Sequence, residues 1–163
     1  MFKSQILTLG TVITLLLIMF LILFRSLLIS IIALFPNVLS ISFVLGFMGW
    51  LSIPLDMMTI TIAAISMGIA VDNTIHYIYR FKTEITKDYD YVESMKRSHK
   101  SIGYAMYYTS LTIIVGFSIL MFSNFIPSIY FGLLTGLAML MALLASLTLL
   151  PQLIMYFKPF GKQ

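Results

Sequence analysis

Asp72 has the clearest chemical potential in this sequence, because it interrupts an apolar stretch eight residues before the next charge, Arg80. At a helical rise of about 1.5 Å per residue, its carboxyl would sit roughly 12 Å inside that stretch. An Asp at such depth in a bilayer costs about 2.5–3.5 kcal/mol, and desolvation favours its neutral acid. A carboxyl whose proton depends on access and neighbours is suited to carrying protons down a gradient, each charge being worth about 2.3 kcal/mol per 100 mV. The same residue could instead bond a helix backbone or cap a break. Ala64, Gly68, Asp72 and His76 recur every four residues and therefore share one helical stripe. Small residues admit a neighbouring helix, so this stripe is expected to face the bundle, with Ala64 and Gly68 packing and His76 within reach of Asp72. His76 could relay protons or be an ordinary hydrogen-bonded imidazole. Thr109, Ser110 and Thr112 offer hydroxyls that could support Asp72 across an interface or satisfy their own helix. Gly132 and Gly136 form a G-x-x-x-G, read as helix packing.

Other chemistries are absent from the pattern. There are no cysteines, which removes thiolate catalysis, disulfides and Cys-based metal sites. The two histidines are separated by a long polar connection and make no metal site, and neither a phosphate-binding glycine loop nor a nucleophile triad is present. No cofactor is implied, and the 12 methionines read as lipid-facing and core filling, with a copper pathway as the remote alternative.

The elements that must position these residues follow from composition. The 163 residues are 60% hydrophobic and 10% charged, with a mean hydropathy of +1.03, which excludes a soluble enzyme. The expected fold class is an all-α membrane protein: a bundle of five transmembrane helices plus a short cytoplasmic amphipathic helix. The spans are expected at about 5–24, 27–51, 57–79, 103–122 and 129–155, forming one transmembrane domain over 1–163 with a cytoplasmic loop at 80–102. The first span lacks a small-residue cleavage site and reads as retained rather than as a signal peptide. Pro36 is a kink point within the second, and Asp56 is a plausible N-cap for the third. Asp90 followed by Glu93 fits a helix start in the loop, and Val92, Met95, His99 and Ile102 recur at helical spacing. Nine of the ten cations fall on one side of the five spans, so the N-terminus is expected outside and the C-terminus in the cytoplasm. The net charge of +4 is thus a topology signal and not a nucleic-acid surface.

A set of ordered motifs covers nearly the whole chain. Phe24-Arg25-Ser26, Pro36, Leu45-Gly46-Phe47-Met48-Gly49 before Ile53-Pro54-Leu55, Gly68-Ile69-Ala70-Val71-Asp72-Asn73-Thr74-Ile75-His76 before Arg80-Phe81, Thr109-Ser110-Leu111-Thr112, Gly116-Phe117, Phe131-Gly132-Leu133-Leu134 and Leu150-Pro151 together resemble the RND superfamily, nearest its MMPL and hydrophobe/amphiphile exporter branches. The resemblance implies a proton-motive-force-driven exporter of lipids or other amphiphiles in the inner membrane, with Asp72, Asn73 and His76 at the positions of the proton relay. It also implies partners: membrane lipids, a second transmembrane half and a periplasmic domain, in the same longer chain or a separate subunit. The chain resembles the last five spans of one half. Asn73 stands where many exporters have Tyr and is similar to the Asp-Asn pair of sterol-sensing domains, so a non-transporting lipid sensor is the alternative, with an inactive transporter fragment as a third. Ser146 occupies a place where family members often carry an acid.

Overall fold

The structure, a computed structural model, describes residues 2–53 and 57–161; the side chains of 2–6, 9 and 57–60 lie outside the described set, as does the expected cap Asp56. Seven α-helices follow in order: α1 (Phe2–Phe24), α2 (Leu27–Trp50), α3 (Met57–Asp88), α4 (Tyr91–Ser98), α5 (Tyr104–Ser118), α6 (Ile126–Leu144) and α7 (Leu150–Phe157). The π-helical turns His99–Gly103 and Ala145–Leu149 join α4 to α5 and α6 to α7, and a 3-10 turn, Ile119–Phe122, ends α5. All the described secondary structure is helical. Leu27–Trp50, Tyr91–Phe122 and Ile126–Phe157 are long and apolar enough to cross a membrane, and Gly10–Phe24 is a shorter apolar helix.

Helix boundaries follow local chemistry. Arg25 takes a left-handed φ of 50°, its N–H bonding the Leu21 carbonyl at 2.9 Å, and the chain reverses into α2. α2 runs unbroken through Pro36, and the Ser40 hydroxyl donates to the Pro36 carbonyl at 2.8 Å. Pro127 sits in the first turn of α6, where its missing N–H removes no helical bond. The connection expected at 80–102, with a helix starting after Asp90, is helical in its first half as well. α3 continues past Tyr79 to Asp88, turns at Tyr89 with φ 56°, and α4 begins at once. The Asp90 carboxylate accepts from the Val92 and Glu93 N–H groups at 2.9 and 3.1 Å, so the cap read from the sequence is present. The buried face of α4 is Tyr91, Ser94 and Ser98, however, while Val92 is exposed. Intrahelical spacing left this rotation open, and the contact with α3 decides it.

α2, α3 and α6 form the centre. Phe20, Ile32, Tyr77, Ile78, Phe81, Leu150 and Ile154 belong to one packed cluster, and Val44, Met48, Ile62, Leu134 and Ala138 to a second. α5 packs on α6 and turns most of its length outward, Met106 and Ser110 being its buried side chains. Gly132 permits that contact: a Cβ there would lie 2.5 Å from the Phe117 carbonyl oxygen and 3.0 Å from Leu120 Cβ. Gly136 is also buried, but a Cβ on it would meet nothing within 4 Å.

Candidate functional site

α3 presents two chemically different faces. Ala64, Gly68, Asp72 and His76 all lie on the outward one. The Asp72 side chain is 68% exposed, and its Oδ1 stands 3.4 Å from His76 Nε2. Asp72 and His76 are thus neighbours, as their spacing requires, but they face outward and not into the bundle as expected. The stripe turns away from this bundle: Ala64 and Gly68 are exposed among the described residues, and a Cβ on Gly68 would meet nothing within 4 Å. The reason is that α3 carries a competing polar stripe. Ser66, Asn73, Thr74 and Tyr77 are buried, Ser66 where α2, α3 and α6 meet, Thr74 against Asn37 of α2 and Tyr77 against His99.

That inward face is tied to α2. The Thr74 hydroxyl donates to the Ala70 carbonyl at 2.9 Å and lies 3.2 Å from Asn37 Nδ2, which also donates to the Ala33 carbonyl at 2.8 Å. Inside an apolar bundle such amide and hydroxyl groups need partners, and here two helices supply them to each other. Asn73 is therefore part of the interior and does not share the Asp72 face.

Of the two roles open to the fourth-span hydroxyls, the described residues show the second for Thr109 and Thr112. Thr109 and Thr112 are exposed, and their hydroxyls donate to the carbonyls of Ala105 and Tyr108, both at 2.9 Å. This back-bonding is the ordinary alternative for helical Thr. Ser110 is buried on the opposite side of α5.

Two constellations escaped the sequence reading. Glu84, 1% exposed, accepts from Arg80 at 2.9 Å, Lys87 at 2.8 Å and Arg97 Nε at 2.9 Å, while the Arg97 guanidinium grips Asp88 through two bonds of 2.9 Å. The hydrogen bond from Lys87, with that from Arg97, holds the Glu84 carboxyl below its ordinary pKa against the opposing effect of burial. Arg97 does the same for Asp88. The i, i+4 pair with Arg80 and the i, i+3 pair with Lys87 were legible as spacing; Arg97, thirteen residues on, was not. The second constellation is His99, which bonds the Tyr77 hydroxyl through Nδ1 at 2.9 Å and the Leu147 carbonyl through Nε2 at 2.9 Å. Tyr77 is wholly buried. Among the described residues, no group of three or more His, Cys, Asp or Glu could hold a metal ion.

An all-helical apolar bundle with helices long enough to span a bilayer, and a carboxyl–imidazole pair on an uncovered face, defines a multi-helix membrane protein. The MMPL family model matches residues 1–162, and the chain belongs to the MMPL family, in accord with the RND resemblance of its motifs. A protein of Methanocaldococcus jannaschii, described as a membrane protein, is 33% identical over 138 residues, covering 85% of this chain and 36% of that protein. The hopanoid transporter HpnN of Burkholderia multivorans is 29% identical over 113 residues, covering 66% of this chain and 12% of the transporter. The chain thus spans about a third of the first relative and about an eighth of the second. No solved structure matches it.

Proposed function

We propose that this chain is the membrane portion of a proton-motive-force-driven exporter of lipids or other amphiphiles, residing in the inner membrane. It has five spans, with the N-terminus outside and the C-terminus and α4 in the cytoplasm. The observation that carries this reading is the Asp72–His76 pair, 3.4 Å apart on an outward face of α3. A carboxyl at that depth is costly against hydrocarbon, and the cost is relieved when the face meets protein or water. A second transmembrane half, in the same longer chain or a separate subunit, completes that face and leaves Asp72 to exchange protons between the two halves. Family membership and the hopanoid transporter relative support a lipid substrate. The distribution of cations supports the orientation, since Arg25, Arg80, Lys82, Lys87, Lys96, Arg97, Lys100, Lys158 and Lys162 all lie at one end of the five-span arrangement.

Two experiments test this. The natural protein, tagged at its C-terminus and extracted in mild detergent, should copurify with, or be continuous with, further spans and a periplasmic domain. A lone 18.5 kDa species or a homo-oligomer would favour a lipid sensor. In the assembled transporter, Asp72→Asn should abolish export with the amount in the membrane unchanged. Proton-coupled export retained in that variant would remove Asp72 from the relay.

A further inference from the structure

Three buried hydroxyls of this bundle bond their own helix, four make no bond among the described residues, and one of those four, Ser66, stands beside a cavity. Ser30, Ser40 and Thr74 each donate to the carbonyl four residues earlier, at 2.8, 2.8 and 2.9 Å. That is the usual way for a helical hydroxyl to be satisfied without a partner. Ser66 on α3 does otherwise. Its residue is 4% exposed, and its Oγ is enclosed and, like the hydroxyls of Ser98, Thr135 and Ser146, makes no hydrogen bond among the described residues. An enclosed hydroxyl without a bond costs about 1–3 kcal/mol, more than the bond itself contributes.

Ser66 lines a cavity at the junction of α2, α3 and α6, together with Ser40, Met48, Ala63, Ala138 and Ala142. Serines and alanines on three helices share the wall of this space with the larger Ile41, Val44, Leu45 and Met48. Its volume is about 10 Å³ for the centre of a water-sized sphere, which is the size of a site for one molecule. The second hydroxyl on its wall, Ser40, already donates to the Pro36 carbonyl and so presents free lone pairs to a donor. The wall therefore offers one hydroxyl able to give or take a hydrogen bond and one able to accept.

We propose that this junction is a binding site for a single structural water, held between Ser66 on α3 and Ser40 on α2. It would extend the polar contact between these helices beyond the Asn37–Thr74 bond, on the side of α3 opposite Asp72. The site stands whatever the chain transports.

Met48 makes the proposal testable, because it lines the cavity and is 1% exposed, while Met139 on α6 is equally buried and is not on the cavity wall. The full protein in detergent or nanodiscs is exposed to a brief X-ray pulse in isotopically labelled water, and oxygen incorporation is read by mass spectrometry. Hydroxyl radicals form from bound water, so a buried Met takes up label only beside one. The expected result is several-fold faster labelling of Met48 than of Met139, falling to the Met139 rate in both Ser66→Ala and Ser66→Val. The second variant fills the space with methyl groups and guards against the first merely loosening the bundle. Equal rates for Met48 and Met139 in the unaltered protein, or a Met48 rate unchanged in both variants, would overturn the proposal.

Discussion

Asp72 contacts His76 and is otherwise exposed, so its removal takes nothing out of the packed interior. This separates a coupling role from a structural one. Asp72→Leu is expected to change the stability of the bundle by no more than about 0.5 kcal/mol, as for substitutions away from packed features; thermal unfolding in detergent measures it. An Asp that capped or braced the helix would instead show a loss of 1 kcal/mol or more, on the order of a lost cap. Gly132 shows the opposite pattern, being silent chemically and sensitive sterically. Its Cβ would press on the Phe117 carbonyl, a backbone atom that cannot rotate aside. Gly132→Ala is therefore expected to cost roughly 1–3 kcal/mol, the range for overpacked sites, and to loosen α5 from α6. The same measurement applied to Gly136→Ala should show little change, since space is open there.

Between elements, polar contacts do what hydrophobicity cannot, because lipid is as apolar as a Leu side chain and does not drive helices together. The Asn37–Thr74 bond is one such contact between α2 and α3. Thr74→Val, which keeps the shape and removes the hydroxyl, should lower stability by about 0.6 kcal/mol, the average for interhelical bonds in membranes. The clamp of α4 on α3 is stronger in kind, since it gathers Arg80, Lys87 and Arg97 on one buried carboxylate. Glu84 has its pKa lowered below the ordinary 4.5, so its contribution is complete above that value and disappears as pH falls through the lower value of the folded state. Amide hydrogen exchange across 91–98 should accordingly remain slow near neutrality and accelerate only in acid. Arg97→Gln should accelerate it several-fold at neutral pH, since it removes the bond from α4 to Glu84 and the grip on Asp88. Exchange that is unaffected by both changes would show that α4 is held by Tyr91 and its apolar neighbours instead.

For the whole molecule, orientation is the property on which the functional reading depends. The chain contains no cysteine, so single cysteines can be placed without background. Ser52 and Asn124 are exposed at one end of the bundle, and Lys82 and Lys158 at the other. Cysteines at 52 and 124 should react with an impermeant maleimide on intact cells, and those at 82 and 158 only after the membrane is opened. The membrane class, the helical periods and the lone carboxyl in an apolar stretch were all legible without coordinates, because hydropathy and the Asp90 cap are local properties. Which way α3 faces was not. A spacing of four says that Ala64, Gly68, Asp72 and His76 lie together, yet small and polar residues both suit helix contacts, and α3 carries a second such stripe through Ser66, Ala70 and Thr74. Only packing chose between them, when Asn37 of α2 and the alanines of α6 met the second stripe and left Asp72 outside. The pairing of Glu84 with Arg97 was hidden for a related reason: it exists only once the left-handed turn at Tyr89 folds α4 back along α3. Local physical chemistry determined what each helix is, and the competition between its faces for the same neighbours determined what each helix does.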